Sequence, residues 1–356
     1  MARKMKDSGI EWIGEIPEGW EITKIKHIVS SVTDIDHFMP DSAEFGIPYL
    51  MIGDLKDLSS SIDWDSSKKI SIEDYKKLSI KSRPQIGDII FARYASIGTT
   101  CYIDTDRDFL VSYACLTIHP SDLIIGKFLS YYLKSSSFAE DVLRRTNSNT
   151  QGNVGKDSLV NATIVLPSII EQTQIVNFLD AKCSDINSML SKTRSSIEEY
   201  KKLKQAVITQ AVTKGVRGER EMKNCNIGWV KELPADWGTI PSKYLFKNSD
   251  TKKCNGDEQL TASQQHGIIT QKYYTELTGS KVVLANKGLD DWKHVEPFDF
   301  IISLRSFQGG LEMSETTGCI TWHYIVLKPY HQIYSYYYKW LFKSEIYIRA
   351  LQRTCN

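Results

Sequence analysis

The sequence predicts an α+β fold in which two repeated mixed α/β domains are joined by a long coiled-coil-type helix. Three observations carry this. A tryptophan–proline motif occurs twice, far apart in the chain. An apolar heptad stripe runs without a break between the two copies. Inside each copy, short apolar runs bounded by Gly, Asp or Pro read as strands, next to stretches of helical periodicity.

The motif comes first in the chain, as Ile10-Glu11-Trp12-Ile13-Gly14-Glu15-Ile16-Pro17-Glu18-Gly19-Trp20. It returns as Ile227-Gly228-Trp229-Val230-Lys231-Glu232-Leu233-Pro234-Ala235-Asp236-Trp237, and both copies fit I-x-W-[IV]-x-E-[IL]-P-x-x-W without a gap. Weaker echoes follow in the same order. Asp88-Ile89-Ile90-Phe91 with Arg93 answers Asp299-Phe300-Ile301-Ile302 with Arg305, and Lys134-Ser135 answers Lys343-Ser344. A period this long marks a duplicated domain rather than a solenoid. Strands are expected near Tyr49 to Ile52, Asp88 to Phe91, Val282 to Leu284, Phe300 to Leu304 and Tyr324 to Leu327. One amphipathic helix is expected from Lys127 to Leu143, with a counterpart from Tyr336 to Leu351.

Between the copies the heptad stripe runs through Leu179, Cys183, Ile186, Leu190, Ile197, Tyr200 and Val207, with Thr193 and Lys204 as its weak positions. Pro167 and Ser168 suit a helix start, and Gly215 suits its end. At 1.5 Å per residue, roughly 43 helical residues span about 65 Å. So narrow a stripe calls for a partner helix. The expected organisation is a first domain over residues 1–165, the helix over 166–215 and a second domain over 216–356.

Composition narrows the function classes. With 41% hydrophobic and 24% charged residues, the chain is neither disordered nor fibrous. A net charge of +1 exerts no global pull on nucleic acid, so a nucleic-acid binder must concentrate its cations locally. The seven cysteines include no C-x-x-C pair and no export signal precedes them, so they read as reduced thiols of a cytoplasmic protein. No apolar run approaches the length of a membrane span. No phosphate loop, dinucleotide fingerprint or metal-spaced Cys/His set is present, and no cofactor is expected.

The repeated motif, the Gly87-Asp88-Ile89-Ile90-Phe91 run and the Ser148-x-x-Gln151-x-Asn153-Val154 loop carry a resemblance, together with Leu166-Pro167, Glu171-Gln172, Ile175 and Phe178-Leu179-Asp180. The chain resembles the specificity subunit of type I restriction–modification systems over nearly its whole length. That resemblance implies a non-catalytic protein with two target-recognition domains, each reading half of a split double-stranded DNA site. Two antiparallel long helices would set the distance between the halves. Methylation subunits and, through them, restriction subunits would do the chemistry. By the repeat offset, roughly 70 residues that follow Arg145-Thr146 have no counterpart after Arg353-Thr354, a second long helix among them. Self-association through the helix, or completion by another chain, is therefore expected.

The residues themselves offer readers of DNA. Arg suits guanine, Asn and Gln suit adenine, and Lys, Arg and Ser suit phosphates. Arg93, Tyr94 and Ser96 follow a strand, and Arg305, Ser306 and Gln308 are their counterparts. Arg144 and Arg145 precede Asn147, Asn149, Gln151 and Asn153, while Gln264 and Gln265 form another amide-rich stretch. The four motif tryptophans are expected in the core rather than stacked on bases. Two other classes compete. One is a coiled-coil scaffold binding protein. The other is a metal-dependent nuclease using Pro40-Asp41 with Asp54-Leu55-Lys56, a short pattern whose Asp54 follows a glycine in an expected turn.

Overall fold

The computed structural model describes residues 3–94, 98–145, 154–263, 265–280, 285, 288–303, 311–330 and 333–354. The chain divides into two compact units, Met1–Met189 and Leu190–Asn356, with the long helix contributing to both.

In the first unit the hydrophobic runs assemble an antiparallel four-stranded sheet in the order Val29–Thr33, Cys115–Pro120, Ile89–Ala92 and Thr100–Tyr102. The central Ile89–Ala92 strand is buried along its whole length, so it reads as a continuous apolar run without alternation. A second sheet orders Lys68–Ile70, Ile47–Leu50 and Leu110–Val111, the last pair parallel. Glu21–Lys24 pairs antiparallel with Thr163–Leu166. Phe91, Leu116, Leu129, Phe138, Leu159 and Ile164 share the largest core.

The second unit repeats the main sheet as Phe246–Ser249, Tyr324–Pro329, Phe300–Ser303 and Glu312–Met313. Its core gathers Phe246, Phe300 and Phe342, whose rings meet edge-on or tilted at 5.1–5.5 Å. The strand expected at Val282 to Leu284 lies outside the described residues.

Each expected single helix is in fact two: Gly126–Leu133 and Ser136–Arg145 in the first unit, Ser335–Phe342 and Glu345–Thr354 in the second. The break falls on the repeated Lys-Ser pair. Ser135 Oγ accepts Phe138 N–H at 3.2 Å and starts a new helix, while Ser344 Oγ, fully buried, donates to Leu341 carbonyl at 2.6 Å. Helical periodicity carried across the pair hides the break in sequence.

The long helix spans Ile169–Lys214, 46 residues. Ser168 Oγ accepts Glu171 N–H at 3.4 Å, and Gly215 ends the helix at φ +78°, where a Cβ would be strained. Gln172, fully buried, anchors the first turns: its Oε1 accepts Ile125 N–H at 2.8 Å, and its Nε2 donates to Pro167 and Leu123 carbonyls at 2.9 and 3.2 Å. Asp180 then takes Lys127 at 2.8 Å and Tyr131 at 2.6 Å. In the second unit Tyr337 donates its hydroxyl to Val212 carbonyl at 2.9 Å. Residues 181–204 are all exposed. Of the heptad stripe, Leu179 is half-buried and Ile186, Leu190, Ile197, Tyr200 and Val207 are exposed. Among the described residues, no helix is long and apolar enough to cross a membrane.

Candidate DNA interface

Arg93 directly follows the central Ile89–Ala92 strand of the first sheet. Its backbone is tied on both sides, N–H to Ala114 carbonyl and carbonyl to Val154 N–H, each at 2.9 Å. The guanidinium is mostly buried. Nη1 meets Asp34 Oδ2 at 3.3 Å, the fork lies 5.6 Å from the Tyr94 ring centroid, and Nε is buried without a partner among the described residues. A cation so held is pre-set in direction. Tyr94 beside it is exposed. Asp34 carries no signal in sequence, because the pairing joins residues far apart in the chain.

Arg144 and Arg145 are engaged otherwise. Arg144 bonds Glu140 at 3.0 Å and Glu11 at 3.4 Å, and lies over the Trp12 ring at 4.7 Å. Arg145 bonds the buried Asp141 at 3.0 Å and reaches Thr163 Oγ1 at 3.4 Å. Both therefore brace the Ser136–Arg145 helix, Arg144 against the N-terminal motif and Arg145 against the Thr163–Leu166 strand. Ser96, Asn147, Asn149, Gln151, Asn153, Gln264, Arg305, Ser306 and Gln308 lie outside the described residues.

In the second unit, Gln265 sits at the exposed turn between the paired strands Leu260–Ser263 and Gly267–Thr270, its N–H on Ser263 Oγ at 3.3 Å. It borders a polar cavity of about 480 Å³ with His266, Tyr273, Glu312, Lys339 and Lys343. Lys343 pairs with the nearly buried Glu312 at 2.7 Å, and Lys339 with Glu315 at 2.6 Å. Burial pushes the Glu312 carboxyl above its ordinary range, against the pull of Lys343 and Lys339. Sequence reading finds Gln265 but not these partners. Lys343 stands out there only as half of a repeated pair.

The motif tryptophans are half-buried rather than core. Trp20 donates Nε1–H to Glu171 at 3.3 Å and lies under Arg3, and Trp237 packs edge-on to Tyr337 at 6.1 Å under Arg220. Trp229 meets Tyr347 edge-on at 5.5 Å. Each large ring brackets the motif onto its unit while one face stays open to a cation or solvent.

In the nuclease pattern Asp54 already has a structural task. Asp54 Oδ2 accepts Met51 N–H at 2.8 Å and caps the Ile52–Asp54 turn. Among the described residues, the one group of three metal-type ligands lies elsewhere, at Cys254, Asp257 and His294, within 4.8 Å of one another. There Asp257 Oδ2 already takes Cys254 N–H at 2.7 Å and the His294 ring at 2.8 Å, a loop lock joining distant segments.

Comparison with known proteins agrees with this architecture. The family described as the type I restriction modification DNA specificity domain matches residues 17–199, just over half of the chain. The provisionally named MjaX specificity subunit of a type I restriction enzyme, from Methanocaldococcus jannaschii, is 28% identical over 86% of this chain and 72% of its own length. The EcoBI specificity subunit of Escherichia coli is 23% identical over 55% of this chain, which spans 42% of that protein. Two solved structures share the fold. The HsdS subunit from Thermoanaerobacter tengcongensis matches at TM-score 0.50 and 15% identity, covering 93% of this chain and 82% of that one. A structure described for complex assembly and conformational transition of the type I R-M system matches at TM-score 0.62 and 14% identity, with 93% and 82% covered. With two units built on one sheet plan, a long helix between them and this family match, the chain belongs to the type I restriction–modification DNA specificity family.

Proposed function

We propose that the chain is the DNA sequence-recognition subunit of a type I restriction–modification complex, non-catalytic itself, and that it directs methylation subunits and, through them, restriction subunits to a bipartite double-stranded site. One observation supports the two-reader reading above the others. The same central strand in both units runs out into an arginine-bearing segment, Arg93 with Tyr94 and Ser96 in one and Arg305 with Ser306 and Gln308 in the other. Gln265 and the loop amides Asn147 to Asn153 add base-edge donors and acceptors. The scaffold and nuclease readings are not favoured: the family match points to DNA specificity, and Asp54 serves as a turn cap. The chain needs no cofactor in this role, and its compartment is the cytoplasm, where its DNA is.

The exposed stripe Ile186, Leu190, Ile197, Tyr200 and Val207 takes a further helix, that of a second copy in antiparallel association. The DNA reading is tested by exchanging residues 20–160 for those of a relative with another target and mapping methylated sites in the host genome. One half of the recognised sequence should change, with the other half and the spacing kept. A change in both halves together would sink the two-reader reading.

A further inference from the structure

In the second unit, Cys254-Asn255-Gly256-Asp257 forms a tight turn. Asp257 N–H reaches back to Cys254 carbonyl at 3.3 Å, and Gly256 supplies the left-handed position at φ +89°. The chain on either side of the turn is pinned to other strands. Lys253 N–H donates to Trp292 carbonyl, His294 N–H to Thr251 carbonyl and Cys319 N–H to Glu258 carbonyl, each at 2.8 Å. This pairing sets the Lys293–Val295 strand against the turn. The Cys254 thiol, an Asp257 carboxylate oxygen and a His294 ring nitrogen come within 4.8 Å of one another. The Asp257 side chain is only 4% exposed and that of His294 12%, while Cys254 is exposed. A carboxylate so deeply buried needs a charged partner or strong hydrogen bonds. Asp257 Oδ2 lies 2.8 Å from His294 Nδ1, and Glu296 Oε1 lies 3.7 Å from Nε2 on the far side of the same ring. A metal-bound histidine is held in this way, with one nitrogen on the ion and the other toward a carboxylate.

We propose that Cys254, Asp257 and His294 bind a divalent transition-metal ion, zinc, through Sγ, a carboxylate oxygen and Nδ1, with Glu296 orienting the histidine from behind. Sulfur, nitrogen and oxygen donors together select zinc over magnesium and calcium, which take oxygen. Two donors separated by two residues on a tight turn, with a further donor from a distant segment, follow the ligand spacing of compact structural zinc sites. His294 stands 37 residues beyond Asp257, so the group is hidden in a linear reading. Donors about 2.0–2.3 Å from a tetrahedral ion stand about 3.3–3.7 Å apart, and the exposed Cys254 side chain is free to close the remaining gap. On binding, the thiol gives its proton to solvent, the ion takes the place of the hydrogen between Nδ1 and Oδ2, and water completes the tetrahedron. The ion fastens the turn to the strand and stabilises the second unit. The proposal holds whether or not the chain reads DNA.

The test titrates the full chain, stripped of metal by a chelator, with zinc and separately with cobalt as a coloured stand-in. One ion per chain is expected, with the visible bands of tetrahedral cobalt and a thiolate-to-cobalt absorption in the near ultraviolet. Hydrogen exchange should slow at residues 252–258 and 292–296. Cys254→Ser should abolish the thiolate band and weaken zinc binding about 100-fold or more, and Glu296→Gln should weaken it about tenfold. Cys183→Ser, which removes an exposed thiol on the long helix, should change neither readout. Cys254 is exposed, so its variant should keep its fold, as circular dichroism will verify. A zinc dissociation constant above roughly 0.1 mM would overturn the proposal. So would a thiolate band that survives in Cys254→Ser, or equal affinity for magnesium. Unchanged affinity in Glu296→Gln would overturn the role given to Glu296.

Discussion

The two units use one sheet plan and complete it differently. In the first, the Glu21–Lys24 strand is covered by Thr163–Leu166 and the core beneath it is sealed, with Phe138 and Val142 fully buried. In the second, the same ground is an open groove. A shared turn makes the same point at smaller scale. Before the central strand, Gly87 adopts φ +94° in the first unit and Phe298 adopts φ +75° in the second. Asp88 accepts Gln85 N–H at 2.7 Å and Asp299 accepts Glu296 N–H at 2.8 Å. The turn is thus kept by the aspartate's hydrogen bond, while the left-handed residue changes even at a cost of about 1–2 kcal/mol of backbone strain. In this turn the repeated residue, the aspartate, holds the architecture.

The sharpest way to break this comparison is to truncate matched aromatics. Phe138→Ala should cost the first unit about 3–5 kcal/mol, and Tyr347→Ala should cost the second about 1–2 kcal/mol, because one leaves a sealed cavity and the other borders an open groove. Hydrogen exchange resolved by peptide, under denaturant, separates the two units. Equal losses would mean that the groove is already closed in solution.

Acid should divide the units next. Burial pushes Asp299 and Glu312 up in the folded second unit. A raised carboxyl contributes stability below its unfolded pKa and loses it as pH rises through the folded value. In the first unit burial also pushes Asp180 up, but bonds from Lys127 and Tyr131 outweigh this and hold it below the ordinary value of 3.8. Its contribution is present above the unfolded pKa and fades as pH falls through the folded value. Acidification through the carboxylate range should therefore favour the second unit's pair and weaken the first unit's helix anchor. Comparing Glu312→Gln with Asp180→Asn across that range checks both signs. Parallel pH profiles for the two variants would contradict them.

The smallest effect on stability is expected on the long helix. Ile186→Glu with Leu190→Glu should stay within about 0.5 kcal/mol in either unit, since both side chains are exposed. Association measured by light scattering should nonetheless be lost. A monomer at micromolar concentration before and after the substitutions would show that the stripe does not self-associate.

Much of this protein is legible in its residues alone. Periodicity and the absence of Pro and Gly place the long helix to within a few positions, because helix formation depends on neighbours one turn apart. The duplicated motif announces two units, and the family motif Glu171-Gln172 is visible before its reason is. That reason is tertiary: Gln172 is a buried amide holding a loop 47 residues upstream, and Glu171 meets Trp20. Only the fold decides that Arg144 and Arg145 brace a helix while Arg93 is held by Asp34, that Lys343 faces Glu312, and that one copy's groove is filled and the other's open. Each of these depends on which distant segments meet, and a linear pattern records spacing along the chain but not the choice of partner across it.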